Sequence, residues 1–429
     1  MPKLKVHSRA LTTASLEEAW AVVREFCAPW HPWIETMRAE RTENGGLVRR
    51  FTVKGENTVY RERLTYFSDH DRAMGYTHVS GIEGVQSYDA RLTVSPTATG
   101  AVITMSAVLS APASRAQAIA DGTQAVFDAG TKAVADLAQA GTANRAATPA
   151  LPAVDVQSIH LDNLPRLTVS VAGEESDVLC LFLHGIGGNR SNWTAQFSVV
   201  AHFCKVASLD LRGYGDSALG AGQSTIDDYC ADILHVMNAL GAKKLVLCGL
   251  SYGAWIATSF AMRHSDKLIG LVVCGGCTGM SEAGADEREA FRLSREVPLN
   301  EGQTPADFAP AVVSLIAGPN VTSEVRGALM AAMQAIPSAT YADALRCFTN
   351  PLEKFDFSKL NLPVLLITGE HDRLAPPTEI KGVAERIWDA SPCPDVRFEM
   401  LTDAGHVCNL EKPDEFNAIL VEYLARVMP

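Results

Sequence analysis

At 429 residues the chain is too long for one ordinary hydrophobic core, so two domains are expected. A net charge of −12, from 37 Lys and Arg against 49 Asp and Glu with no basic block, argues against nucleic acid or an anionic membrane as partner. The opening Met1-Pro2-Lys3-Leu4-Lys5-Val6-His7 turns polar at once, without the apolar core of a signal peptide, and no apolar run is long enough for a membrane span. Ten cysteines, several inside apolar runs (Cys180, Cys248, Cys274), read as reduced, packed thiols, and a cytoplasmic location is expected.

The first 140 residues predict an α+β domain. Ser15 with Glu18 forms a capping box ahead of a short helix through about Phe26. Strands are predicted at 47–54, 58–67, 73–80, 86–95 and 100–110, with alternation clearest in Tyr88, Ala90, Leu92 and Val94. A long alanine-rich amphipathic helix follows over about 114–140, anchored by Ala120, Val126, Phe127, Val134 and Leu137. Trp30-His31-Pro32-Trp33 suits either the rim of a cavity or a plug at one end of the core. His78 and Tyr88 suit either a ligand or cross-strand packing.

This order of elements over residues 3–140 resembles the START-like, polyketide-cyclase-like (SRPBCC) helix-grip fold. The resemblance implies a curved sheet wrapped around the long helix, with an apolar cavity between them that takes lipids or other hydrophobic small molecules. No catalytic triad or metal constellation precedes residue 150, so ligand capture, a structural or oligomerising role and catalysis all stay open for this region. Residues 141–157, rich in Ala, Thr and Pro, read as a linker.

From 158 to 429 the pattern is strand and helix in alternation, with strands near 165–171, 178–183, 205–210, 244–249, 268–274, 364–368 and 396–400. The best helices are 226–240, capped at Thr225, and 252–264. This is the rhythm of a mostly parallel sheet covered on both faces. The second of these strands runs into His184-Gly185-Ile186-Gly187-Gly188-Asn189, a glycine-rich turn that can aim backbone N–H groups. His184 reads as structural, and Arg190 and Trp193 just beyond are candidate substrate contacts, Trp193 foremost.

Lys244–Cys248 is an apolar strand leading into Gly249-Leu250-Ser251-Tyr252-Gly253 and then a helix containing Trp255, a third candidate substrate contact. Strand, Gly-x-Ser-x-Gly, helix is a turn that lifts a serine hydroxyl clear of the backbone, and small residues flank the serine because Cβ atoms would crowd it. The N–H groups of Ile186 and Tyr252 would then face a developing oxyanion. Asp372 follows the strand at 364–368 and His406 the strand at 396–400; strand ends on one edge of a parallel sheet converge, so both can reach Ser251. In that set His406 takes the serine proton and Asp372 fixes its tautomer. Glu370 and His371 are the nearest rivals for the acid. Cys274 and Cys277 form a C-x-x-C without a second pair, read as packed thiols rather than a zinc or redox site. Cys408 reads as a buried, inert thiol. Residues 276–359 interrupt the rhythm with helical character and read as a cap over Ser251; the uncharged Leu329, Met330, Met333 and Ile336 suit an apolar or aromatic substrate.

These elements over 160–429, with Leu209-Asp210-Leu211-Arg212-Gly213-Tyr214-Gly215-Asp216-Ser217, resemble the α/β-hydrolase superfamily, within it the broad group of enol-lactonases, small-ester hydrolases, cofactor-free haloperoxidase-like esterases and carbon–carbon bond hydrolases. Ala254 departs from the second glycine that many relatives carry after the elbow. The resemblance implies hydrolysis of an ester, thioester or lactone through an acyl-enzyme on Ser251, with neither metal nor organic cofactor. Carbon–carbon bond hydrolysis of a diketone uses the same three residues and stays open, as does a catalytically silent binding protein on this fold. The expected partner is a hydrophobic small molecule, and self-association is compatible with the sequence.

Overall fold

The computed structural model describes residues 3–41, 47–68, 71–97, 99–144, 154–162, 164–351, 354–391 and 395–428. The chain divides into two compact units, Met1–Ala150 and Leu151–Pro429. Of the predicted linker, 145–153 lies outside the described residues, while 141–144 continues a helix. Among the described residues no helix is long and apolar enough to cross a membrane.

The first unit contains β1 (Lys3–Thr12), α1 (Leu16–Val23), β2 (Ile34–Arg41), β3 (Leu47–Val53), β4 (Val59–Ser68), β5 (Ala73–Ser80), β6 (Ser87–Thr97), β7 (Gly100–Ser110) and α2 (Ala113–Asn144). Its seven strands form an antiparallel sheet in the order β1-β7-β6-β5-β4-β3-β2. The predicted capping box starts α1, with Glu18 N–H donating to Ser15 Oγ and Ser15 N–H to Glu18 Oε2. Alanine favours a long helix, and α2 runs for 32 residues. Phe127, Val134 and Ala138 of α2 enter the same core as Leu92, Ile103 and Leu109 of the sheet. Ser8 of β1 donates to Asp128 of α2 at 2.6 Å, fixing how the helix crosses the sheet. A sheet gripping one long helix is the helix-grip arrangement the sequence resembles.

The second unit contains β8 (Gln157–Leu161), β9 (Leu167–Ala172), β10 (Val178–Leu183), α3 (Thr194–Val200), β11 (Lys205–Asp210), α4 (Ile226–Ala239), β12 (Lys244–Leu250), α5 (Tyr252–His264) and β13 (Leu268–Cys274). Then come α6 (Ala285–Asn300), α7 (Pro305–Ile316), α8 (Ser323–Gln334), α9 (Ser338–Thr349), β14 (Val364–Gly369), α10 (Pro377–Ala390), β15 (Val396–Leu401), α11 (Cys408–Glu411) and α12 (Pro413–Val427). The sheet order is β15-β14-β13-β12-β10-β11-β9-β8, parallel from β10 to β15, with β9 antiparallel to β11 and β8 antiparallel to β9.

Every residue of β10 is buried, and its side chains alternate between two cores. Leu179, Leu181 and Leu183 meet α4, α5 and α10 on one face; Cys180 and Phe182 meet α3 and α12 on the other. Covering both faces is what lets a strand be apolar throughout. It also stacks the carboxyl ends of β10, β12, β13, β14 and β15 along one edge, where the candidate residues lie.

Candidate active site

Ser251 follows β12 at the middle of the sheet, with φ +55° and ψ −113°. This backbone region is costly for a residue bearing a Cβ, and close packing around the turn imposes it. A Cβ on Gly249 would fall on the carbonyl of Gly253, and one on Gly253 on the carbonyl of Leu183. Ser251 N–H donates to Cys274 O at 2.8 Å, tying the turn to β13.

The glycine turn after β10 lies against the serine, because a Cβ on Gly185 would stand 3.3 Å from Ser251 Cβ and 3.8 Å from its Oγ. His184 holds that turn as the sequence suggested: Nδ1 donates to Gly185 O at 2.8 Å and Nε2 accepts from Leu211 N–H at 3.1 Å. Burial pushes its pKa down, against the carbonyl bond and the Asp210 charge, keeping a neutral ring with both nitrogens in use. Among the described residues, the N–H groups of Ile186 and Tyr252 donate to no protein acceptor.

Asp372 and His406 come together. His406 Nδ1 stands 2.9 Å from Asp372 Oδ2 and 3.0 Å from Oδ1. Oδ1 also accepts the N–H groups of Leu374 and Ala375, each at 2.9 Å. Burial raises the Asp372 pKa, but the His406 contact and the two backbone donors outweigh it, and the carboxyl sits below its ordinary value. His406 Nε2 is buried and has no hydrogen-bond partner among the described residues. Glu370, the rival acid, instead accepts Asp403 N–H at 3.1 Å and is exposed.

The Gly275-Gly276 turn after β13 joins the two halves of the site. Gly275 has φ +57° and packs on His406, where a Cβ would lie 3.1 Å from Nδ1; Gly276 packs on the backbone of Ser251. In sequence this turn stands out only as the middle of a C-x-x-C. Its two cysteines point into opposite cores, Cys274 toward Cys408 and Cys277 toward Thr258.

The helices α6–α9 lie between β13 and β14 in sequence, within the predicted cap, and touch the loops at this edge. His406 N–H donates to Ile316 O at the end of α7 at 2.8 Å. Met333 of α8 sits over Gly187, and Thr340 of α9 donates to Gly213 O at 2.9 Å. Exposed Glu370, His371 and Asp403 bring ligand atoms within 4.8 Å of one another, but neither Asp372 nor His406 belongs to that group.

Residues 180–419 match the alpha/beta hydrolase family. The chain belongs to that family. Residues 3–139 match the family described as polyketide cyclase / dehydrase and lipid transport. The hydrolase unit is similar to 3-oxoadipate enol-lactonase 1 of Acinetobacter baylyi, 22% identical over 280 residues, covering 64% of this chain and 99% of the relative. It is also similar in structure to a thermophilic esterase from Thermogutta terrifontis, with a TM-score of 0.55 and 25% identity, covering 64% of this chain and 100% of the esterase. The enol-lactonase from Burkholderia xenovorans LB400 shares the fold, with a TM-score of 0.50 and 21% identity over 61% of this chain and 97% of its own.

Each of the three candidate substrate contacts is engaged by other protein groups. Trp193 is 0% exposed and stacks on Phe182 at 4.6 Å, in the core shared with Phe416 of α12. Arg190 is held by Asp210 and Asp216 and by Ser170, so its charge is spent fixing the loop after β11. Trp255 is buried among Tyr252 and Phe348, with Nε1 donating to Ser281 Oγ at 2.9 Å. Trp193 and Trp255 are thus interior residues of the hydrolase unit, whereas Arg190 is part-exposed and lines a cavity with Asn189, Ser191 and Asp216.

The first unit holds a cavity of about 400 Å³ between sheet and helix. Trp30, Trp33, Phe51, Tyr76 and Tyr88 line it, so both tryptophans of the Trp-His-Pro-Trp run belong to its rim, Trp33 being 39% exposed. His31 between them is structural, taking Trp33 N–H on Nδ1 and bonding Val126 O through Nε2 at 3.0 Å. Deeper in the wall, Arg49 on β3 faces Glu62 on β4 and is bonded to it at 2.7 Å, with its guanidinium between the rings of Phe26 and Tyr76.

Proposed function

We propose that the hydrolase unit cleaves a carboxylic ester, thioester or lactone of a neutral apolar or aromatic small molecule. Ser251 is the nucleophile, His406 the base and Asp372 the residue that orients it. His406 Nε2 takes the hydroxyl proton as Ser251 Oγ bonds to the carbonyl carbon. The oxyanion forms between the N–H groups of Ile186 and Tyr252. His406 then protonates the leaving group, and a water deprotonated by the same nitrogen hydrolyses the acyl-enzyme. The reading rests on one observation above all: a buried Asp372–His406 pair whose Nε2 is unpartnered, beside a turn that holds Ser251 at φ +55°. The uncharged Met330 and Met333 of α8, Met333 lying against the glycine turn, support a neutral substrate; the esterase and enol-lactonase relatives support cleavage of an ester or lactone.

The test is turnover of p-nitrophenyl and naphthyl esters by the full chain and by Ser251→Ala, with organophosphonate labelling read by mass spectrometry. A loss of roughly 10³-fold or more is expected, with the label on Ser251. Unchanged turnover in Ser251→Ala, or a label elsewhere, sinks the assignment. Turnover of a diketone but of no ester moves it to carbon–carbon bond cleavage.

For the first unit we propose capture of a hydrophobic small molecule. Its aromatic-lined cavity is within the size range of small-ligand sites, roughly 300–1,000 Å³.

A further inference from the structure

The end of α7 is bonded to both loops that carry the acid and the base. His406 N–H donates to Ile316 O at 2.8 Å. Arg373, next to Asp372, donates from Nε to Leu315 O at 3.2 Å and from its guanidinium terminus to Ser314 O. These are the last-turn carbonyls of a helix, which have no partner inside it, and here the catalytic loops supply the donors. One more side chain completes the connection. Glu411, at the end of α11, accepts Gly405 N–H on Oε1 at 3.1 Å and Gly318 N–H on Oε2 at 2.9 Å. Gly405 precedes His406, and Gly318 lies two residues past α7.

The backbones meet so closely that neither glycine has room for a side chain. A Cβ on Gly318 would stand 2.5 Å from Glu411 Oε2 and 2.6 Å from Gly405 N; one on Gly405 would fall on Gly318 N and Ile316 O. A carboxylate with two oxygens, each taking one N–H, fits this junction, whereas an amide presents one acceptor only. Burial raises the Glu411 pKa, against the two backbone donors; the Asp372 charge raises it and the His406 charge lowers it, so this carboxylate is electrostatically linked to the Asp372–His406 pair.

We propose that Glu411 is a positioning residue of the hydrolase site: it clamps the backbone of the base loop to the end of α7, and its charge supports the imidazolium formed on His406. This rests on the hydrolase reading above. Among the described residues, the charged groups that bear on His406 include Asp372 from the loop after β14 and Glu411 from α11. The end of α7 and the Gly275 turn present backbone only, and Glu379 of α10 bears on Asp372.

Two variants of the full chain test this, Glu411→Gln and Gly318→Ala. The first removes the charge and one acceptor; the second presses a Cβ against the carboxylate and the Gly405 backbone together and leaves the charge in place. The readouts are the pH profile of kcat/KM on a small aryl ester and the pH titration of the low-field NMR proton on His406 Nδ1, which needs no substrate. Glu411→Gln is expected to lower kcat/KM on the order of tenfold, chiefly through kcat. It should also move the acid limb and the NMR midpoint down by about half a unit to one unit, because a lost anion destabilises the imidazolium. Gly318→Ala is expected to lower kcat/KM with the midpoint unmoved. A fall in kcat/KM in Glu411→Gln with no shift in either midpoint overturns the proposal, since a merely structural contact does that. Unchanged kcat/KM in soluble Gly318→Ala overturns it too, and decides the matter should Glu411→Gln not fold. If no ester is turned over at all, the hydrolase reading fails, and the NMR midpoint still tests Glu411 on its own.

Discussion

His406 Nδ1 lies within 3.0 Å of both carboxylate oxygens of Asp372, while Nε2 on the other side of the ring is left without a partner. That arrangement fixes the tautomer: the proton sits on Nδ1 and the lone pair on Nε2. Asp372→Asn can present an amide N–H to Nδ1 and so favour the opposite tautomer, leaving no base for Ser251. We expect a loss in kcat of roughly 10³- to 10⁴-fold with the fold intact by circular dichroism. Glu370→Gln should be near neutral in the same assay; a large effect there with a mild one in Asp372→Asn would reverse the assignment.

Asp372 and Glu411 set opposite slopes on stability against pH. Asp372 is held below its ordinary pKa, so its contribution is fully present above the unfolded value of about 3.9 and is lost as pH falls through the folded one. Glu411 is held above its ordinary pKa, so the folded state loses stability as pH rises from about 4.3 through the folded value. Urea midpoints measured from pH 3 to 7 should show Asp372→Asn flattening the acid-side fall. Glu411→Gln should flatten the decline just above pH 4.3. Parallel curves for wild type and both variants would contradict these shifts.

Trp193 gives a test in which stability and binding separate. Its ring is sealed between Phe182 and Phe416, so Trp193→Ala should cost about 3–5 kcal/mol of stability through the cavity it leaves. The KM of the protein that remains folded, measured at low temperature, should be close to wild type. A raised KM with unchanged thermal stability would return Trp193 to the substrate pocket.

The elements legible in sequence were those with a strong local signature. Ser15 and Glu18 announced α1, Thr225 announced α4, and the Gly-x-Ser-x-Gly turn placed Ser251 at the end of β12. Three strands carried no such signature. β1 reads Lys-Leu-Lys-Val-His-Ser-Arg-Ala-Leu-Thr, with charges on its exposed face; β2 is rich in charge, and β8 is a five-residue edge strand. Each gains its place by pairing with a distant partner, β1 with β7 for instance, which local pattern does not encode. The packing of Trp193 is hidden in sequence for a related reason. It follows the glycine turn in sequence, but Phe182 and Leu183 point to opposite faces of the sheet, and Trp193 packs with Phe182 on the face that also receives α12. A strand that is apolar at every position hides that parity. Glu411 was invisible because its partners are backbone N–H groups of residues far apart in the chain.

The cavity in the first unit leads to a comparison between the full chain and a chain beginning at Pro152. The triad candidates and both oxyanion donors lie after that cut, and the second unit has its own two cores. The shorter chain is therefore expected to fold and to keep its kcat/KM on a small aryl ester within about threefold, since no new barrier is introduced. On a bulky apolar ester its kcat/KM should fall, because the aromatic-lined cavity no longer gathers the substrate. A whole-chain control is Met105→Trp, which fills the cavity from the sheet and should reproduce the loss on the bulky ester alone. Equal losses on both esters would assign the first unit a structural role. No loss on either would make it an independent binding module, with a ligand unrelated to the substrate of Ser251.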